Sequence, residues 1–307
     1  LPARGRTILG KSAARLFDVD VPNVVMDCFD FVSHDPDTTR KRSRLLAHIA
    51  SYEDHRALQE QLEANGWVTF VADDSLLARR SGVSEAPLTG DGVVAFRSPD
   101  SLRASVSLPH AGDVSGMAIP RGLTLIVGGG YHGKSTLLEA IARGVYAHVP
   151  GDGRELVATD PSATKVRAAD GRAVTGVDIS AFISHLPGSI DTTNFSTENA
   201  SGSTSQAASI IESLQLGARS LLIDEDTSAT NLLIRDTRMR DLVAADKEPI
   251  TPLVDRVSSL TGAGTSLIMV VGGSGAFLDA ADRVLMMDNY RCLAVTARAK
   301  QVAADLP

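Results

Sequence analysis

Residues Gly128-Gly129-Gly130-Tyr131-His132-Gly133-Lys134-Ser135 satisfy the pattern G-x-x-x-x-G-K-[ST] at every fixed position. Glycines at this spacing let main-chain N–H groups turn inward around a polyphosphate, and a helix starting at the end of the loop adds the positive end of its dipole. Lys134 is suited to reach the β- and γ-phosphates, and the Ser135 hydroxyl to ligate Mg²⁺. The stretch from Gly128 to Thr136, with Tyr131 and His132 inside it, is therefore the candidate nucleotide cradle. A second group of chemistry-bearing residues closes the run Ser220-Leu221-Leu222-Ile223-Asp224-Glu225. An Asp at the end of a buried strand beside a phosphate loop can hold the metal, and Glu225 can orient and deprotonate an attacking water.

These residues need elements to hold them. Leu123–Val127 is a continuous apolar run, which marks a strand buried on both faces immediately before the loop. Leu221–Ile223, Leu267–Val271 and Val284–Met287 repeat the pattern, with helical stretches near 135–147, 204–216 and 252–261. Strands alternating with helices predict an α/β fold with a mostly parallel sheet covered on both sides. Upstream, Lys41–Glu63 lacks Pro and Gly and carries Leu45, Leu46, Ile49, Leu58 and Leu62 at helical spacing, ending at Gly66. Trp67–Val71 reads as a strand, and residues 82–116 as hairpins and loops. A domain boundary is expected near Gly116, giving a smaller α+β domain over 1–115 and the phosphate-loop domain over 116–307.

A third segment, Asn199-Ala200-Ser201-Gly202-Ser203-Thr204-Ser205-Gln206, opens the helix that leads to the acidic strand. Asp226-Thr227-Ser228-Ala229-Thr230-Asn231 follows the acids directly. A Ser-Gly pair at a helix start offers unpaired N–H groups to an anion. The order of phosphate loop, Ser-Gly helix start, acidic strand end and Ser-Ala segment resembles the ABC-class ATPases. More closely, the chain is similar to soluble stand-alone ATPases of that class. The likeness runs over Phe70–Ser75, Arg79–Val83, Ile119–Tyr146, Pro150–Glu155, Phe195–Gln206, Leu221–Asn231, Asp246–Pro252 and Met287–Arg291. It implies an ATPase, hydrolysing ATP to ADP and phosphate, that forms a homodimer around two Mg-ATP. Ser201 and Gly202 of one subunit would close on the γ-phosphate held by the partner's loop. Within the class, the chain is also similar to kinetoplastid mitochondrial proteins associated with RNA-editing complexes, which implies an RNA partner and a mitochondrial address, otherwise a cytoplasmic one.

Three departures from transporter ATPases shape the expectation. The loop after Val271 reads Gly272-Gly273-Ser274-Gly275 and lacks the His that contacts the γ-phosphate; Ser274 can donate a hydrogen bond but carries no charge, so slow hydrolysis is expected. Ser184 and His185 stand roughly where a Gln linking nucleotide to a helical subdomain would be. Between Lys134 and Ser201 the chain is rich in Gly, Asp and β-formers, so the helical subdomain that grips a permease is expected to be absent. No upstream aromatic offers itself for stacking on adenine.

Composition bounds the rest. The 307 residues carry a net charge of −7, with no basic half, which excludes a globally basic nucleic-acid coat. Basic spots occur at Arg40–Arg44 and Arg79-Arg80, and they support the alternative of a nucleotide-gated nucleic-acid clamp with little or no hydrolysis. Cys28 and Cys292 form no metal-binding pair and read as idle thiols in a reducing, intracellular setting. No apolar stretch approaches the ~18 residues of a membrane span.

Overall fold

Apolar runs bounded by glycine become buried strands here, and the glycines mark where they end. The computed structural model describes residues 1–186, 188, 190–244 and 247–305, apart from the side chains of Thr237 and Arg240. Asp246, the first residue of one segment in the family likeness, lies outside the described residues. The strands that position the candidate site are β1 (Trp67–Ala72), β2 (Arg103–Leu108), β3 (Gly112–Pro120), β4 (Leu123–Val127), β5 (Val157–Thr159), β6 (Thr164–Val166), β7 (Ser220–Asp224), β8 (Ser266–Val270), β9 (Arg283–Asp288) and β10 (Arg291–Ala294). The principal helices are α1 (Pro36–Asn65), α2 (Lys134–Arg143), α3 (Gly202–Gln215) and α4 (Thr296–Asp305).

A six-stranded sheet has the order β6-β7-β8-β4-β9-β10. All neighbours in it run parallel except β10, which returns antiparallel to β9. This is an α/β fold with a mostly parallel sheet. A four-stranded antiparallel sheet, β2-β3-β1-β5, accompanies it. Side chains alternate along each strand, so the faces of the two sheets sort into separate cores. Leu125, Ile223 and Met269 pack with Ala207 and Ile210 of α3. Ile126, Leu222 and Ile268 point the other way and share a core with Leu137, Leu138 and Ile141 of α2 and with Val71, Met117 and Ile119 of the antiparallel sheet. Helix α2 is thus held between the two sheets. Behind the antiparallel sheet, Phe70 and Ala118 meet Leu58 and Leu62 of α1.

The chain divides into two units, Leu1–Ala50 and Ser51–Pro307. In the first, Thr38 is the one buried residue among those described, so this unit builds no apolar core of its own. Leu45, Leu46 and Ile49 are exposed, whereas Leu58 and Leu62 further along the same helix are buried in the second unit. The expected boundary near Gly116 falls instead inside β3, which pairs with β1 through Gly116 opposite Ala72. The close approach of the strands explains the residue: a Cβ at 116 would lie 2.5 Å from the Val71 carbonyl oxygen. Between Arg143 and Gly202 no helix occurs among the described residues, and short strands including Val174–Val177 and Phe195–Thr197 stand there, as the residue types predict.

Candidate nucleotide site

The loop between β4 and α2 is shaped by two glycines that no other residue could replace without movement. Gly128 has φ +138°, and a Cβ there would lie 2.3 Å from the Met287 carbonyl oxygen. Gly133 has φ +98°, caps α2, and would drive a Cβ to 2.7 Å from the Tyr290 ring. Tyr131, between them, also takes a left-handed φ of 62° and is fully exposed. Lys134 Nζ donates to the carbonyl oxygens of Gly128 at 2.8 Å and Gly129 at 2.9 Å, so its charge is held inside the loop. Leu137 N–H bonds to Gly133, and the preceding N–H groups of Lys134, Ser135 and Thr136 have no acceptor in the helix. Ser135 is exposed at this helix start.

The β9–β10 hairpin clasps the loop from the side. Its turn residues Asn289 and Tyr290 both have positive φ. Tyr290 N–H donates to the His132 carbonyl at 3.1 Å, Asn289 N–H reaches His132 Nδ1 at 3.0 Å, and Asp288 lies 3.1 Å from that same nitrogen. His132 therefore anchors the loop to the hairpin, a role its place in the motif does not reveal.

The acidic residues sit one strand further away than the sequence suggests. β8 runs between β4 and β7, with Asp224 opposite Val270 and Val270 opposite Ile126. Asp224 is thus level with the end of β4, about 10 Å away by two strand spacings. It is buried, and its carboxylate accepts the Asp226 N–H at 3.2 Å. Glu225 points to the loop after β8, where Oε2 accepts N–H groups from Gly272 at 2.5 Å and Gly273 at 2.9 Å. A Cβ placed on Gly272 would be 3.8 Å from both Glu225 Oε2 and Lys134 Nζ, so these charged groups flank one glycine. Ser274 does not point to them through a free hydroxyl lone pair: its Oγ accepts the Ala276 N–H and caps its own turn.

Ser201 caps α3, its Oγ accepting the Thr204 N–H, and is exposed. Gln206, one turn in and fully buried, donates to Ser228 Oγ at 2.9 Å and accepts the Ala229 N–H at 2.8 Å. Ser228 Oγ in turn donates to the Asp224 carbonyl at 2.8 Å. The Ser-Gly helix, the Ser-Ala segment and the acidic strand are one hydrogen-bonded unit. A buried Gln on the inner face of a helix was the available signal for it. Ser184 and His185 join no such unit: Ser184 N–H bonds to the Pro249 carbonyl and His185 is exposed. Of the basic spots, Arg79 is turned inward to Asp152 at 3.2 Å and to its carbonyl at 2.8 Å, so it is not a free surface charge. Cys292 is buried, which pushes its thiol up to about 12, whereas Cys28 is exposed.

The ABC ATPase P-loop domain family matches residues 41–307. This chain belongs to that family. The ABC ATPase is 32% identical over 197 residues to the uncharacterized protein MJ1628 of Methanocaldococcus jannaschii. That match covers 62% of this chain and 44% of the relative, so the chain spans less than half the length of the curated relative it matches. Among solved structures, cbiO1 from Clostridium perfringens, part of the ABC transporter complex cbiONQ, is 16% identical with a TM-score of 0.44, covering 78% of this chain and 92% of that one. MJ1267 in its ADP conformation, an ATP-binding cassette of an ABC transporter, is 12% identical with a TM-score of 0.46, covering 78% and 96%. P-loop domains of this family bind nucleotide, typically with Mg²⁺. Among the described residues no group of three or more His, Cys, Asp or Glu could by itself hold a metal ion. No helix among the described residues is long and apolar enough to cross a membrane.

Proposed function

We propose that this chain binds Mg-ATP in the loop Gly128–Thr136 and hydrolyses it slowly, as one half of a homodimer. The observation that carries the reading is the Glu225 carboxylate, held by the Gly272 and Gly273 amides on the Lys134 side of the phosphate loop. Ser135 and Asp224 are the residues to hold Mg²⁺, which supplies charge neutralisation on the β- and γ-phosphate oxygens when bound. Lys134 exchanges the carbonyls of Gly128 and Gly129 for phosphate oxygens. Glu225 orients a water and takes its proton. The main-chain amides of Gly272 and Gly273 stand where a transporter ATPase offers His, and they hold the base without adding positive charge, which supports slow turnover. Exposed Ser201 and Gly202 serve the partner's nucleotide, and the Gln206–Ser228–Asp224 connection carries the state of one site to the other.

The decisive experiment measures phosphate release and particle mass with and without Mg-ATP, in the wild-type chain and in Glu225→Gln. The expected result is slow turnover in the wild type and an ATP-stabilised dimer in the variant. A monomer under every nucleotide condition overturns the dimer. The alternative clamp on nucleic acid is supported by the exposed Arg42 and Arg44 on α1. Adding single-stranded RNA tests it: affinity that falls steeply with salt supports the clamp, and undetectable binding removes it. An accessory role for the residues ahead of the phosphate-loop core, and the mitochondrial address, belong with this second reading.

A further inference from the structure

β10 is the last strand of the six-stranded sheet, so one of its edges has no neighbouring strand. Which main-chain groups lie on that edge follows from the hairpin. Asn289 and Tyr290 form a two-residue turn with positive φ at both positions, and such a turn closes on a hydrogen-bonded pair, here Asp288 opposite Arg291. Bonded and non-bonded pairs then alternate along the antiparallel ladder. Val295 N–H donates to the Val284 carbonyl at 2.9 Å, which keeps that phase to the end of the strand. Cys292 and Ala294, opposite Met287 and Leu285, therefore belong to non-bonded pairs, and their N–H and C=O groups point away from β9. They make no main-chain hydrogen bond among the described residues.

Along this edge lies a cavity of about 750 Å³ whose other wall is formed from residues 94–101. Phe96 and Ser98 are buried there and Arg97 between them is exposed, the alternation of an extended chain. Phe96 bonds inward through both its main-chain groups, to Ser75 and Asp74. Ala95 and Arg97, on either side of it, make no main-chain hydrogen bond among the described residues and line the cavity. Two rows of unpaired peptide groups thus border one space, and an added strand is what satisfies such groups. Charge narrows the occupant. Arg291 is exposed and makes no ion pair among the described residues, while Arg97 pairs at 2.8 Å with Asp74, both side chains standing in solvent. Asp100, the one carboxylate on the lining, is taken by Arg103 at 3.0 Å.

We propose that this slot docks an extended, acidic segment of a partner protein as a seventh strand. Its carboxylates lie level with Arg291 and Leu293, and small apolar residues alternate with them beside the buried Cys292. The docking does not rest on nucleotide binding. A consequence of it does: the turn of the same hairpin clasps His132, so a strand seated on β10 acts on the element that holds the phosphate loop.

Fluorescence anisotropy of the full chain with a labelled heptapeptide of alternating Val and Glu tests this. Saturable binding with a midpoint below about 1 mM is expected, and its absence overturns the slot. The same peptide with Lys in place of each Glu should bind about 10-fold or more weakly; equal affinity overturns the acidic class. Methylating every second amide nitrogen removes the donors on one edge of the peptide and leaves its side chains in place. Because the slot has two walls, methylation in either phase should weaken binding about 10- to 100-fold. Loss in one phase alone overturns the wall at residues 94–101, and loss in neither overturns strand pairing. Ala294→Pro removes an outward N–H without breaking a bond to β9, a change edge strands tolerate. It should weaken peptide binding about 10-fold while the thermal midpoint holds, and unaltered binding overturns β10 as the pairing edge. Saturating peptide should change Mg-ATP affinity about 5-fold or more. Unchanged affinity overturns the link to the loop, whereas a chain that binds the peptide but no Mg-ATP overturns the phosphate reading and supports the slot.

Discussion

The two flanks of the phosphate loop are built from different materials. On the acidic flank, two charged side chains, Lys134 and Glu225, are held by main-chain groups: the carbonyls of Gly128 and Gly129 and the amides of Gly272 and Gly273. On the Tyr290 flank the main chain is pinned by charged side chains: Arg154 donates to the Leu77 carbonyl, Asp73 accepts the Ser98 N–H, and Arg79 is itself fixed by Asp152. A charge held by main-chain groups of the loops that leave the parallel sheet keeps its place whatever the side chains there are. A main chain pinned by side chains depends on each of them. The acidic flank should therefore fail by losing chemistry, and the other by losing fit or stability.

The sharpest way to break this contrast is Glu225→Gln. It should lower phosphate release by about 100-fold or more while ATP affinity stays within a few-fold, because the change removes a base and keeps a hydrogen-bonding shape. Unchanged turnover would assign the base elsewhere. Lys134→Ala comes next: ATP affinity should fall about 10- to 100-fold, the value of a charge-assisted contact, with thermal stability little altered. Gln206→Ala tests the connection between sites. It leaves the Ala229 N–H and the Ser228 hydroxyl without their buried partner and should cost about 1–3 kcal/mol, read as a fall in thermal midpoint. A midpoint equal to that of the wild type would show that water replaces the amide.

The smallest effect concerns pH. His55 is buried near His148, and desolvation, aided by repulsion from His148 and Arg56, pushes its pKa down to about 4. The folded chain keeps this imidazole neutral while the unfolded chain protonates it below about pH 6.5. The unfolded state then binds more protons, so the stability is complete above that pH and declines as the pH falls towards 4. Thermal midpoints across this window should drop in the wild type and drop less in His55→Leu. Equal slopes would remove His55 from the account.

What could be read in the sequence was what is contiguous. The phosphate loop, the acidic strand end and the alternation of strands with helices each lie in one stretch, and local patterns of glycine, charge and apolar residues specify them. The insertion of β8 between the loop strand and the acidic strand could not be read that way, because strand order is decided by packing across the sheet. The inward turn of Arg79 was hidden for the same reason: an Arg-Arg pair looks like a surface charge until Asp152 is brought beside it. Main-chain donors leave no mark in residue types at all, so the Gly272–Gly273 amides showed only as a missing His. The boundary near Gly116 followed a change in composition, whereas the continuity of β3 depends on pairing with β1.

The clamp on Glu225 has a consequence for how this protein can vary. Its two donors belong to peptide bonds, and among the encoded residues proline alone lacks that N–H. Ordinary replacements at 272 leave the donor in place, and a Cβ there meets its nearest neighbour at 3.7 Å, an ordinary contact. A mutational scan should thus find position 272 tolerant of Ala and Ser, intolerant of Pro, and position 225 intolerant of nearly everything. A site that relies on the backbone for its second partner presents half the mutational target of one built from two side chains, and drift can rewrite that loop while its function persists.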